Sequence, residues 1–374
     1  MTAGEGKRRL SRGEYIAKME NLFPILESKS ETRPESRPES RPESRPLAGL
    51  ARTAAAAPLD STGCLTEYRP LASRSIVNKT NSRRGLPFTH AINPYRGCEF
   101  GCRYCYARYT HEFLEMQPEE FEHKIYFKEN AAWLLEQELR RLKPGTEIAL
   151  GTATDPYQPL ERKLGITRSL LEVFARHSGL RLGIVTKSTL VAHDLDLLQE
   201  IGKRNKLTVH LTVTTMNAKL ARVLEPRSPR PDLRIRTLKQ LREAGLRAGV
   251  LCSPLMPGIT DNPGSIRAVA RAAAEAGACF FAAGALFLKP CSLPTFLAFV
   301  REHFPAQVAA YEQRYSASAF VSPAYRQRMT ELVASICREF KLGKRYTYEA
   351  AARDAAAEGN PIVELQPWLP FGNA

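Results

Sequence analysis

The sequence predicts an α/β protein: a partial (β/α)6 TIM-like parallel barrel with a helical C-terminal extension and a disordered N-terminal segment. Six short apolar strand candidates alternate with segments of helical period between Phe88 and Leu288, and that serial order is the signature of a parallel sheet with helices outside. Each strand candidate runs into a turn carrying polar or small residues, at the end of the barrel where such folds place their chemistry. Ahead of them, Glu31-Thr-Arg-Pro34 and three copies of Glu-Ser-Arg-Pro ending at Pro46 put a proline at every fourth position, which blocks helix and sheet alike.

The first 30 residues hold a short amphipathic pattern around Tyr15–Leu26, and Ser73–Pro87 reads as a polar, extended lead-in carrying Arg74, Lys79, Arg83 and Arg84. Strands are expected at Phe88–Pro94, Glu147–Gly151, Leu180–Thr186, Leu207–Val213, Arg247–Ser253 and Cys279–Leu288. The last is nearly all apolar, as a strand buried on both faces must be. Helices are expected at Asn130–Leu142, Thr167–His177, Leu190–Lys203, Leu233–Ala244 and Ser265–Ala276, from apolar residues three and four apart such as Ala132, Leu135, Leu139 and Leu142. Further helices follow at Pro294–Phe304, Ala306–Arg314 and Tyr325–Phe340, then a basic run from Lys341 to Tyr348. The expected division is residues 1–85 as mostly disordered, 86–290 as the core domain and 291–374 as a helical extension.

The 374 residues, 43% of them hydrophobic, are enough for one large core. No apolar run reaches the length of a membrane span, and the N-terminus lacks the apolar stretch of a signal peptide. Outside one cluster the eight cysteines are scattered singly, unlike a disulfide framework. A cytoplasmic protein is expected. The net charge of +15 favours polyanions such as DNA or RNA, and it equally suits a merely soluble basic surface.

The chemistry concentrates in Asn93-Pro-Tyr-Arg-Gly-Cys98-Glu-Phe-Gly-Cys102-Arg-Tyr-Cys105-Tyr106. Three cysteines at C-x3-C-x2-C spacing in so tight a loop bring three thiolates together, as an inorganic cluster or a metal requires. A four-iron cubane held by three cysteines keeps one iron open to an outside ligand. The competing readings are a Cys3His zinc site completed by His111, with a spacing unusual for zinc fingers, and buried cysteines without a ligand. The turn Gly151-Thr-Ala-Thr-Asp155-Pro offers Asp155 to an ammonium or hydroxyl, or is a plain Asp-Pro turn. Lys187 leaves the third strand, placed to pair a carboxylate or to snorkel to water. Thr212 and Thr214 end the fourth, able to meet a ribose or simply to favour β structure.

The C-x3-C-x-aromatic-C pattern, with Tyr104 as the aromatic, resembles that of the radical S-adenosylmethionine (SAM) enzymes. The T-x-T-D-P turn, Val185-Thr-Lys187, and Glu225-Pro226 with Arg234 bring the chain from Asn93 to about Asp261 near the spore photoproduct lyase-related branch. The resemblance implies a [4Fe-4S] cluster on Cys98, Cys102 and Cys105, with SAM on the open iron and reductive cleavage to a 5′-deoxyadenosyl radical. It further implies Tyr104 and Tyr106 flanking cluster and adenosine, Lys187 on the SAM carboxylate, Thr214 (or Thr212) on the nucleoside, and an external electron donor of flavodoxin or ferredoxin type. Spore photoproduct lyases carry a hydrogen-donating cysteine where this chain has Thr152, so thymine-dimer repair by that route is not expected. The alternative from another class is a non-catalytic nucleic-acid-binding protein stapled by a zinc or iron–sulfur loop.

Overall fold

The structure, a computed structural model, describes residues 49–63, 65–80, 88–343 and 345. The helix expected near Tyr15–Leu26, the Glu-Ser-Arg-Pro repeat, Arg83, Arg84 and the end of the basic run lie outside the described residues. In chain order the strands are β1 (Ser61–Thr62), β2 (Glu67–Pro70), β3 (Val77–Lys79), β4 (His90–Ile92), β5 (Tyr95–Arg96), β6 (Lys124–Phe127), β7 (Glu147–Leu150), β8 (Arg181–Thr186), β9 (Lys206–Thr212), β10 (Ala248–Leu255) and β11 (Phe281–Ala285).

The main sheet runs β11-β10-β9-β8-β7-β4-β3. Its members β4, β7, β8, β9, β10 and β11 are parallel throughout, and they are the six expected strands. Helices return the chain between them at Ala131–Leu139, Ile166–Arg176, Leu195–Arg204, Pro231–Glu243 and Pro263–Glu275. These helices form because each carries an apolar stripe to bury. In Ile166–Arg176 the stripe is Ile166, Leu170, Leu171, Val173 and Phe174, all buried. Leu170 and Leu171 lie fully inside the core, where truncation to Ala costs about 2–5 kcal/mol. Asn262 caps Pro263–Glu275 by accepting from the amide of Ser265 at 2.8 Å, with a proline in the first turn, the arrangement that satisfies an orphan amide where the helix begins.

Two features depart from the expectations. A second sheet, β1-β2-β6-β5, packs beside the barrel, and β6 lies inside what reads as one long loop between the cysteines and the next helix. The described part of the first 85 residues also carries secondary structure that its composition does not mark. Gly49–Ala56 is a helix whose Ala54, with Ala57, packs on Leu71, Leu114 and Tyr126. β2 pairs with β6, and β3 adds an antiparallel edge to β4. These strands are two to four residues long and partly charged, too short for an apolar alternation to register.

The C-terminal helices Leu293–His303, Val308–Tyr315 and Pro323–Glu339 bury Phe296, Val300, Tyr311, Val333 and Ile336 in the same core as the barrel strands. Beyond them the chain returns to the free edge of β11, where Gly343 accepts from the amide of Phe281 at 3.1 Å.

Candidate active site

The cysteine loop leaves β5 through Gly97, which has φ +83°. A Cβ there would stand 2.8 Å from the carbonyl oxygens of Phe121 and Lys124, so only glycine fits. Cys98 then donates its amide to Phe121 at 3.0 Å, and Cys105 donates to Cys102 at 3.1 Å.

Segments distant in sequence clasp the loop. Glu99 donates its amide to the Gln158 side chain at 3.0 Å, and its carboxylate accepts from the Leu160 amide at 2.9 Å and the Tyr68 hydroxyl at 2.8 Å. From the other side, Arg103 donates its amide to Leu224 at 2.9 Å, and Arg227 donates to Phe100 at 3.3 Å. Beneath lies the buried ion pair of Arg108 with Glu122, and Arg108 also reaches the Cys102 carbonyl at 3.4 Å.

Cys98, Cys102 and Cys105 carry no disulfide and line one cavity of about 240 Å3. It runs from the strand ends into the barrel interior, where Gly151, Gly183 and Gly284 leave room beside Val185 and Leu251. Burial raises the pKa of all three thiols, Cys102 to about 12. Neighbouring carboxylates and the other cysteines add to this at Cys98 and Cys102, and the Lys187 ammonium opposes it at Cys102. Burial alone would lower the pKa of Lys187, but Cys102, Glu225 and Asp155 outweigh it, and the net shift is upward. The Lys187 amino group lies 5.6 Å from the ring centre of Tyr104.

Of the residues singled out from sequence, the three cysteines, Tyr104, Tyr106, Asp155 and Lys187 all line this cavity. Tyr106 donates its hydroxyl to the Thr152 carbonyl. Asp155 is occupied by the protein itself, accepting from the Thr186 hydroxyl at 2.6 Å and from the amides of Lys187 at 2.8 Å and Tyr157 at 3.0 Å. Thr214 is turned away into a buried network, donating to Glu225 at 2.7 Å. Its neighbour Thr212 lines the cavity instead. His111 belongs elsewhere: its Nε2 contacts the Lys124 carbonyl at 2.9 Å, and its ring meets Phe121 and Tyr126 edge-on. Burial lowers its pKa to about 4.

Two structural partners of the loop have roles that sequence reasoning did not supply. Glu225 accepts the hydroxyls of Tyr104 and Thr214 and pairs with Arg234, and Glu99 carries the clasp. The Glu225-Pro226 dipeptide was visible as a motif, but nothing local in sequence ties it to Tyr104.

The donor set suits a cluster better than a single ion. Among the described residues no three His, Cys, Asp or Glu side chains converge closely enough for one metal, and His111 is engaged elsewhere. Three buried thiols, each costly to ionise alone, are suited to a polynuclear cation that compensates their charge together.

A parallel barrel with a three-cysteine loop at its strand ends has counterparts among known proteins. The radical SAM superfamily model matches residues 92–267. An uncharacterized protein of Mycobacterium tuberculosis (strain ATCC 25618 / H37Rv) is 32% identical over 296 residues, covering 79% of this chain and 86% of that protein. One from Methanocaldococcus jannaschii is 31% identical over 172 residues, 46% of this chain and 62% of its own. Among solved structures, spore photoproduct lyase complexed with dinucleoside spore photoproduct aligns with TM-score 0.54 at 14% identity, over 80% of this chain and 85% of that one. A cysteine-to-serine mutant of the same enzyme aligns with TM-score 0.55 at 15% identity, over 80% and 85%. The chain belongs to the radical SAM superfamily, and it shares the fold of spore photoproduct lyase.

Proposed function

We propose that Cys98, Cys102 and Cys105 hold a [4Fe-4S] cluster and that SAM binds beside it in the cavity. When bound, the pair supplies a 5′-deoxyadenosyl radical on one-electron reduction by an external flavodoxin- or ferredoxin-type donor. The observation that carries this reading is the opening of three free cysteines onto one cavity that also receives Lys187. Lys187 pairs the SAM carboxylate, Thr212 is better placed than Thr214 for the nucleoside, and Tyr104 and Tyr106 wall the site. Asp155 acts by orienting Lys187. The chemistry resides in residues 86–290 of a cytoplasmic enzyme, with residues 291–374 as its helical extension.

The substrate class is nucleic acid. The charge of +15 and a fold shared with an enzyme solved with a dinucleoside photoproduct favour it. Thr152 lines the cavity where a hydrogen-donating thiol would be needed, and among its described lining residues the three loop cysteines are the only thiols. A reaction other than thiol-terminated dimer repair follows. The test is anaerobic purification with metal analysis, then reduction with SAM. About four irons per chain and 5′-deoxyadenosine are expected; a colourless protein with stoichiometric zinc would return the reading to a stapled nucleic-acid-binding protein. Affinity for DNA or RNA should fall steeply with salt, and no binding at low salt would exclude that substrate class.

A further inference from the structure

The Glu225 side chain is 1% exposed and bridges elements that share no local sequence. One carboxylate oxygen accepts the hydroxyls of Tyr104, from the cysteine loop, and Thr214, beyond β9. The other accepts from Arg234, which also donates to the carbonyls of Thr212 at 3.0 Å and Pro229 at 2.8 Å. Tyr104 stands between Cys102 and Cys105, so whatever fixes its ring fixes that end of the loop. The flanking residues act in the same direction, since Leu224 and Arg227 hold the backbone of Arg103 and Phe100. The charges of Glu225 and Arg234 are both felt at Cys102, with opposite sign.

We infer that Glu225 is a positioning residue for the cluster, holding the Cys102–Cys105 arm through Tyr104 and setting the local potential through its charge. The inference rests on the cluster reading above. A carboxylate near Cys102 disfavours adding an electron, and its removal leaves the Arg234 charge buried and uncompensated, which favours it.

The test is a redox titration of anaerobically reconstituted protein, followed by the electron paramagnetic resonance signal of the reduced cluster, with iron release to a chelator as a second readout. Glu225→Gln should keep its iron and reduce about tenfold more readily, a rise of about 59 mV for a one-electron couple. Glu225→Gln with Arg234→Gln removes both charges and should return the potential toward wild type. Tyr104→Phe keeps both charges, and should release iron faster at nearly unchanged potential. If Glu225→Gln gives no soluble protein, the rate of iron release from Tyr104→Phe decides. An unshifted potential in Glu225→Gln together with wild-type iron retention in Tyr104→Phe would overturn the inference. A wild-type protein without an iron–sulfur signal would instead overturn the cluster reading, and this inference with it.

Discussion

The amide of Lys187 donates to the carboxylate of Asp155 at 2.8 Å, so two residues that sequence offers as separate cofactor ligands are halves of one device. Asp155 joins the turn after β7 to the end of β8, and Lys187 leaves that junction with its ammonium near Cys102 and Tyr104.

Lys187→Ala should weaken SAM binding by about ten- to a hundredfold, the roughly 1.5–3 kcal/mol of a charge-assisted bond, with iron content unchanged. Cys102→Ala should abolish the cluster. Calorimetric titration of SAM alongside metal analysis separates the two, and unaltered affinity in folded Lys187→Ala protein would remove the lysine from the site.

The Arg108–Glu122 pair is buried under the loop. Arg108→Met leaves the Glu122 carboxylate only its longer contact with Arg103 at 4.0 Å and should destabilise by about 3–5 kcal/mol. Adding Glu122→Leu should recover much of that loss in urea unfolding. No recovery would mean that the contacts of Arg108 with the carbonyls of Pro118 and Cys102 matter more than its charge.

Lys128 gives a signed pH dependence. Burial, reinforced by Arg96 and opposed by Glu138, lowers its pKa to about 7, against about 10.4 in an unfolded chain. Between these values folding releases a proton, so this group's contribution to stability rises with pH across that window, and below it the cost of burying the ammonium is fully present. Lys128→Met should therefore be more stable than wild type near pH 6, by on the order of a few kcal/mol, with the gap closing toward pH 10. A constant gap in urea midpoints would refute the assignment.

Trimming the N-terminus distinguishes its two parts. Removal of residues 1–48 should leave the melting temperature unchanged. Removal of 1–65 also takes away Gly49–Ala56 and β1 and uncovers Leu71, Leu114 and Tyr126, so melting should occur at a lower temperature. Equal melting of the two proteins would show that this small cluster contributes nothing.

The barrel was legible because its strands are apolar runs and its helices carry unbroken stripes, as in Leu182 and Ile184 of β8 followed by Leu198 and Ile201 of the next helix. The cysteines were legible because their spacing is local. The small sheet was not, since Glu67-Tyr-Arg-Pro70 has no alternation to betray a strand and gains its pairing from residues 124–127. Thr214 illustrates a subtler limit. It stands two positions beyond the end of β9, and only the partner at Glu225 shows that its hydroxyl faces away from the cavity.

The clasp on the cysteine loop also makes its shape a long-range property of the chain. Glu99 is held by Tyr68 from one direction and by Gln158 and Leu160 from another, while Leu224 and Arg227 close the third side. No short stretch of nascent chain can present the three thiols in this arrangement. A metal-nucleated domain gathers its ligands from one stretch of chain around the ion; here the backbone that carries the three cysteines is shaped by segments more than fifty residues further along the chain.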